Sequence, residues 1–127
     1  MTENEISGII LDAAIMVHRT LGGPGLLESV YRDALVWELR QRGLKVEKEV
    51  LVPVVYKGHQ VGDPLRIDIL VEGEIVIECK ATEKDNPVFA AQTLTYLRVA
   101  GHHLGILINF GKIKLVDGYE RVVNGYV

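Results

Sequence analysis

From Asn4 to Leu21, the residues Ile6, Ile9, Ile10, Ala13, Ala14 and Val17 fall at i, i+3, i+4, i+7, i+8 and i+11. That spacing predicts an amphipathic helix. Gly22-Gly23-Pro24-Gly25 ends it in a tight turn. A second helix is expected from about Leu26 to Arg42, turning Leu27, Val30, Tyr31, Ala34 and Leu35 inward, with Gly43 suited to the position past its end. From Leu44 the period changes. Val46, Val50, Val52 and Val54 predict a long strand, in which Pro53 marks an edge or a bulge. Gly58 to Pro64 reads as a turn region, followed by two apolar strands, Arg66 to Val71 and Ile75 to Lys80. Asn86 as N-cap, Pro87 at the first helical position and Gly101 past the end bracket a third helix over Pro87 to Ala100. Leu104 to Phe110 is a short, strongly apolar strand. Lys112 to Val116 is expected to pair with it across Asn109 to Gly111, and the remainder to Val127 to add another edge. The element order is ααβββαβ(β), with no repeat, low-complexity tract or linker, and is read as one domain over residues 1–127.

The two apolar strands carry Asp68 and then Glu78-Cys79-Lys80. Charges inside such runs are costly unless they are paired or bind a metal. If Glu72-Gly73-Glu74 form a three-residue loop, paired positions sum to 146, so Ile67, Ile69 and Val71 share a face with Cys79, Ile77 and Ile75. The other face then receives Arg66 beside Lys80, Asp68 beside Glu78 and Leu70 beside Val76. A two-residue loop mixes the faces, which hydrophobic patterning disfavours. The register that makes the best core therefore also sets two carboxylates side by side, a destabilising arrangement that a cation relieves. Two carboxylates can hold Mg²⁺ while most of its shell stays open to water and phosphate oxygens, and a neighbouring lysine can orient the attacking water. The plainer alternative is a solvated strand face, with Arg66 and Lys80 forming weak cross-strand ion pairs.

Composition narrows this only slightly. With 127 residues, 48% hydrophobic and 24% charged, the chain is ordinary globular protein rather than disordered. A mean hydropathy of +0.18 leaves room for a buried homodimer or larger homo-oligomer surface. The net charge of −3 gives no basic field for tight non-specific DNA binding, although a bound cation reverses the local sign at an acidic site. The single Cys79 cannot form an internal disulfide, fits a reducing compartment and reads as a buried small hydrophobe. There is no basic stretch followed by an apolar core at the N-terminus, and no apolar run long enough to span a bilayer, so no membrane partner and a cytoplasmic location are expected.

Three further groups bear on the site. Gln92 and Tyr96, at i and i+4, share a face of the third helix and can reach a phosphate or a water through hydrogen bonds. Glu28 lies near the start of the second helix, where the dipole favours its charge and Arg32 can pair with it; it is also a candidate third acidic group. Of the four histidines, His102 and His103 are adjacent on an extended segment and project to opposite sides, which makes chelation poor. There is no phosphate-binding loop and no nucleophile elbow.

Assembled, these residues make the chain resemble the GxxExxY family of the PD-(D/E)xK nuclease superfamily. Gly25, Glu28 and Tyr31 match the naming motif, Asp68, Glu78 and Lys80 the metal and catalytic core. Gln92 and Tyr96 match the helix motif of the RecB-like and lambda-exonuclease-like branches. The resemblance extends over nearly the whole chain and implies an α/β fold of the mixed α+β type, with a restriction-endonuclease-like core in which helices flank a central mixed sheet. It implies that Asp68 and Glu78, with the backbone carbonyl of Cys79 and with Glu28, ligate Mg²⁺ or Mn²⁺. Lys80 positions the water, and Gln92, Tyr96, Tyr31 and Arg66 face the substrate. Cys79 departs from the larger apolar residue more usual at its position, which bears on packing more than on chemistry. The expected activity is that of a Mg²⁺-dependent deoxyribonuclease directed to ends or single strands rather than to a sequence. DNA is expected over RNA, and a larger nuclease or helicase assembly is a candidate setting. The alternative is a non-catalytic nucleic-acid-binding or protein-binding subunit that retains the fold.

Overall fold

The computed structural model describes residues 1–125. Helix α1 spans Glu3–Thr20 and starts in a capping box: Thr2 accepts from the Glu5 amide while the Glu5 carboxylate accepts from the Thr2 amide. Helix α2, Glu28–Gln41, packs on α1. Its buried residues are Tyr31, Leu35, Val36 and Leu39, whereas Leu27 and Val30, expected to face inward, are exposed. The helix begins two residues later than Leu26, which leaves Leu27 outside it as the N-cap, and its buried stripe runs from Tyr31 to Leu39.

Strand β1 is Val46–Val52 and ends at Pro53, whose missing N–H cannot continue a ladder. The expected turn region holds instead a small hairpin, β2 (Val55–Tyr56) with β3 (His59–Gln60), separate from the main sheet. Then follow β4 (Leu65–Val71), β5 (Ile75–Lys80), α3 (Pro87–Ala100), β6 (Leu104–Asn109) and β7 (Tyr119–Val123). The sheet order is β1-β4-β5-β6-β7, and only the β5–β6 pair is parallel. Lys112 to Val116 does not form the predicted partner of β6. Leu115–Gly118 is a 3₁₀ turn with Leu115 in the core, and β7 takes the edge. The part of the last expected edge at residues 126–127 lies outside the described residues.

Two apolar clusters sandwich the sheet. One joins α1 and α2 to Ile69, Val71, Ile75, Ile77, Cys79 and alternate residues of β6; the other joins Leu97 of α3 to Ile67, Leu70, Val76 and Val122. This is an α+β fold with helices on both faces of a mixed sheet. Among the described residues no helix is long and apolar enough to cross a membrane.

Candidate active site

The three-residue turn at Glu72-Gly73-Glu74 sets the register as the hydrophobic pattern requires. Ile69 faces Ile77, Leu70 faces Val76 and Val71 faces Ile75, with Glu72 and Gly73 at φ 54° and 65°. Pairing between β4 and β5 stops there. Beyond it the carboxylates take the part of main-chain carbonyls: Asp68 Oδ2 accepts from the Cys79 amide at 2.9 Å, and Glu78 Oε1 from the Asp68 amide at 3.4 Å. On the other side of β4 the ladder also skips a step, since no pair forms between Asp68 and Glu49, which sits at φ 56°.

Both strands exchange faces at this level. In β1, Val46 packs with the first cluster, but Val50 and Val52 lie against the second. In β4, Ile69 belongs to the first and Ile67 to the second. Ile67 was expected on the face of Ile69, as strict alternation demands. The twist at Glu49 and Asp68 breaks that alternation.

Asp68 and Glu78 are buried, at 8% and 7% exposure. Among the described residues neither Arg66 nor Lys80 comes within 4.0 Å of either carboxylate, so the cross-strand ion pairs of the plainer reading do not form. Burial, and then the Asp68 charge, push the Glu78 carboxyl up to about 8. A backbone hydrogen bond and the charge of Lys80, beyond ion-pair distance, pull the other way without restoring Glu78 to the ordinary carboxylate range.

The remaining candidates divide. Glu28 is the first residue of α2, and its carboxyl is raised by desolvation and by the Asp68 charge, with Lys80, Arg32 and Arg66 pulling the other way. It therefore shares one electrostatic neighbourhood with the pair. Arg32 does not pair with it but with Asp33 at 3.2 Å and Glu49 at 3.3 Å. Among the described residues no group of three or more His, Cys, Asp or Glu side chains is placed to hold a metal, so Glu28 is not gathered into a third ligand position. Arg66 is exposed on β4. Gln92 and Tyr96 stand together on α3, the Gln92 amide donating to the Tyr96 hydroxyl at 3.3 Å.

Tyr31 corrects the expectation of substrate contact. It is wholly buried, stacks on Phe110 at 4.8 Å, donates to the Gly23 carbonyl at 2.7 Å and accepts from the Leu26 amide at 3.1 Å. Its role is to clamp the turn that delivers Glu28. Cys79 is buried, and burial with the Asp68 charge drives its thiol far up, which leaves it inert as a nucleophile.

Two residues went unnoticed in the sequence. Phe89 carries the Lys80 ammonium over its ring, Nζ lying 4.8 Å from the centroid. Its position three residues before Gln92, on the same helical stripe, was the available signal. Asn109 is buried at the end of β6. Its Oδ1 accepts from the amides of Thr82 and Gly111, and its Nδ2 donates to Thr82 Oγ1 and Asp85 Oδ1. It thereby ties down the loop that follows Lys80.

The donor set fits a hard divalent cation. Asp68 and Glu78 offer oxygens side by side, buried and, among the described residues, without a compensating positive side chain within 4.0 Å. Such a cation would supply charge neutralisation at the phosphate and acidify water. The chain itself provides a lysine held over an aromatic ring, and a rigid loop behind it.

No curated protein matches the chain. A solved structure, "Crystal structure of SSO0001", is similar at 20% identity and a TM-score of 0.49, covering 78% of this chain and 53% of the other, so this chain spans about half its length. A sequence model described as the PD-(D/E)XK nuclease superfamily matches residues 4–122, through every element that frames the buried carboxylates, and the chain belongs to that superfamily.

Proposed function

We propose that the protein is a metal-dependent nuclease that hydrolyses phosphodiester bonds of DNA, with Mg²⁺ or Mn²⁺ held by Asp68, Glu78 and the Cys79 carbonyl. One observation carries the reading: two buried carboxylates lie side by side with no cation within ion-pair distance, next to a lysine free of ion pairs among the described residues. Lys80 holds and orients the attacking water. Glu28, close enough to feel the Asp68 charge, completes the acidic side of the site. Gln92, Tyr96 and Arg66 contact the phosphate backbone. Gly25, Glu28 and Tyr31 support placement in the GxxExxY branch. The preference for DNA, and for ends or single strands, follows the same resemblance.

Incubation of the pure protein with mixed DNA and RNA in Mg²⁺ or Mn²⁺ tests the reading. Loss of a positioned acid–base group costs about 10²–10⁴-fold, and Lys80→Ala is expected to lose at least the lower figure while still binding metal. Equal turnover by wild type and Lys80→Ala points to a contaminant and ends the proposal.

The second reading, a non-catalytic binding subunit, draws on the absence of a three-carboxylate cluster among the described residues. It requires no metal uptake in calorimetry and no metal-dependent cleavage. We also place the chain as a single nuclease-like domain in the cytoplasm. A homodimer is proposed on the exposed Trp37, Leu51, Val55 and Tyr56, and sedimentation equilibrium giving only monomer removes it.

A further inference from the structure

The carboxyl end of β6, which runs parallel to β5, opens beside the N-terminus of α3 and the start of β7 onto a cavity of about 620 Å³. Open α/β sheets receive ligands at this place, outside the carboxyl ends of their strands. The volume falls within the roughly 300–1,000 Å³ of small-molecule sites. Its wall includes Phe89, Ala90, Leu107 and Asn109 and the carboxylates of Asp85, Asp117 and Glu120, whereas Tyr119 borders it but packs its side chain on the α1 side of the sheet, its hydroxyl bonded to Ser7. Phe89 is the ring over which Lys80 Nζ lies, and Asn109 is the register partner of Lys80. The cavity therefore begins one side chain away from the candidate catalytic lysine.

Its chemistry is opposite to that of a phosphate site. Among the described residues no lysine, arginine or histidine lines it, and of its three carboxylates only Asp85 is paired, with Lys112 at 3.1 Å. Asp117 and Glu120 are exposed and make no ion pair among the described residues. What suits such a wall is an uncharged planar group with a π-face for the Phe89 ring and the apolar Ala90 and Leu107, and N–H donors at its edge. A nucleobase has both.

We infer that this cavity is a base subsite, taking the nucleobase of a nucleotide next to the phosphodiester held at Lys80. It favours bases with an exocyclic amine (cytosine, adenine, guanine) over thymine, because carboxylates at its edge can accept from that amine and find no equivalent donor on thymine. The inference rests on the nuclease reading for the position of the phosphodiester, but the base pocket can be measured without cleavage.

The probes are free nucleosides, which carry no phosphate. Deoxycytidine, thymidine and deoxyribose are titrated into metal-free, ¹⁵N-labelled protein while the amides of Phe89, Asn109, Gly118 and Glu120 are followed. Deoxycytidine is expected to shift these amides saturably and to bind several-fold more tightly than thymidine. Phe89→Leu should weaken it about 10-fold, the scale of one base–aromatic stack. Glu120→Gln, at an exposed position, should narrow the preference for deoxycytidine without unfolding the chain. Deoxyribose shifting the same amides equally, or no shifts at the cavity in folded wild type, overturns the subsite. Nucleoside binding in a protein that cleaves no nucleic acid retains the pocket and removes the nuclease, so the two failures are distinguishable.

Discussion

Glu78 combines burial, a charged neighbour and a backbone hydrogen bond in one side chain. Its carboxyl titrates at about 8 in the folded protein, above the ordinary carboxylate range. Between those values the folded chain holds a proton that the unfolded chain releases, so stability falls as pH rises through the window, by at most about 1.4 kcal/mol per unit. Below the window the protonated carboxyl resembles an amide. Metal-free Glu78→Gln should therefore match wild type near pH 4.5 and exceed it at pH 8, as measured by urea denaturation across pH. A constant difference at all pH values contradicts the raised carboxyl. Tyr31 supplies a second test at this scale, because its hydroxyl joins the Gly23 carbonyl and the Leu26 amide. Tyr31→Phe leaves both groups short of a partner and should cost about 1–3 kcal/mol in the same assay. Activity should fall less than it does on Glu28→Gln, since the hydroxyl touches only the turn. A loss of activity with full stability places Tyr31 in the substrate path after all.

Elements were legible where short-range chemistry punctuates them. Helix α3 runs over Pro87–Ala100 as expected, because Asn86 caps the Val88 amide, Pro87 loses no hydrogen bond at its position, and Gly101 accepts φ 77°. The β4–β5 register was legible too, since a one-residue slip exposes a whole apolar face. The face exchange at Glu49 and Asp68 was not. A positive φ at a glutamate has no compositional signature, and the break in alternation arises from carboxylates replacing carbonyls across the ladder. The burial of Tyr31 was foreseen as helix periodicity and then overridden by the motif that contains it. The contact of α3 with β6 is a tertiary fact of the same kind: a Cβ added at Gly105 meets Thr93 Cγ2 at 3.0 Å and Leu97 Cδ1 at 3.2 Å. Gly105→Ala should lift α3 from the sheet, at a cost of about 1–3 kcal/mol. Because α3 carries Phe89, Gln92 and Tyr96, the variant should raise KM for nucleic acid more than it lowers kcat. A purely proportional loss of folded protein, with unchanged KM, would separate the helix from substrate binding.

At the scale of the molecule, a chain of net charge −3 must attract a polyanion, so its affinity for nucleic acid is expected to depend on the divalent cation. The cation and the proton compete for the same carboxylates. Metal ligation needs Asp68 and Glu78 ionised, whereas the metal-free fold favours a proton on Glu78. Ligand held only by the folded state stabilises it by mass action, by about 2.7 kcal/mol at a concentration 100 times Kd. That gain should be small at pH 5.5, where the proton dominates, and should grow towards pH 8 as metal displaces it. Thermal denaturation with Mn²⁺ or Mg²⁺ at the two pH values measures the difference directly. In Asp68→Asn/Glu78→Gln the metal-induced shift should vanish at both, while the metal-free protein gains stability at pH 8. An unchanged metal shift in that double variant would place the cation elsewhere on the molecule. No shift in wild type at millimolar metal would leave two buried carboxylates without the charge that accounts for them.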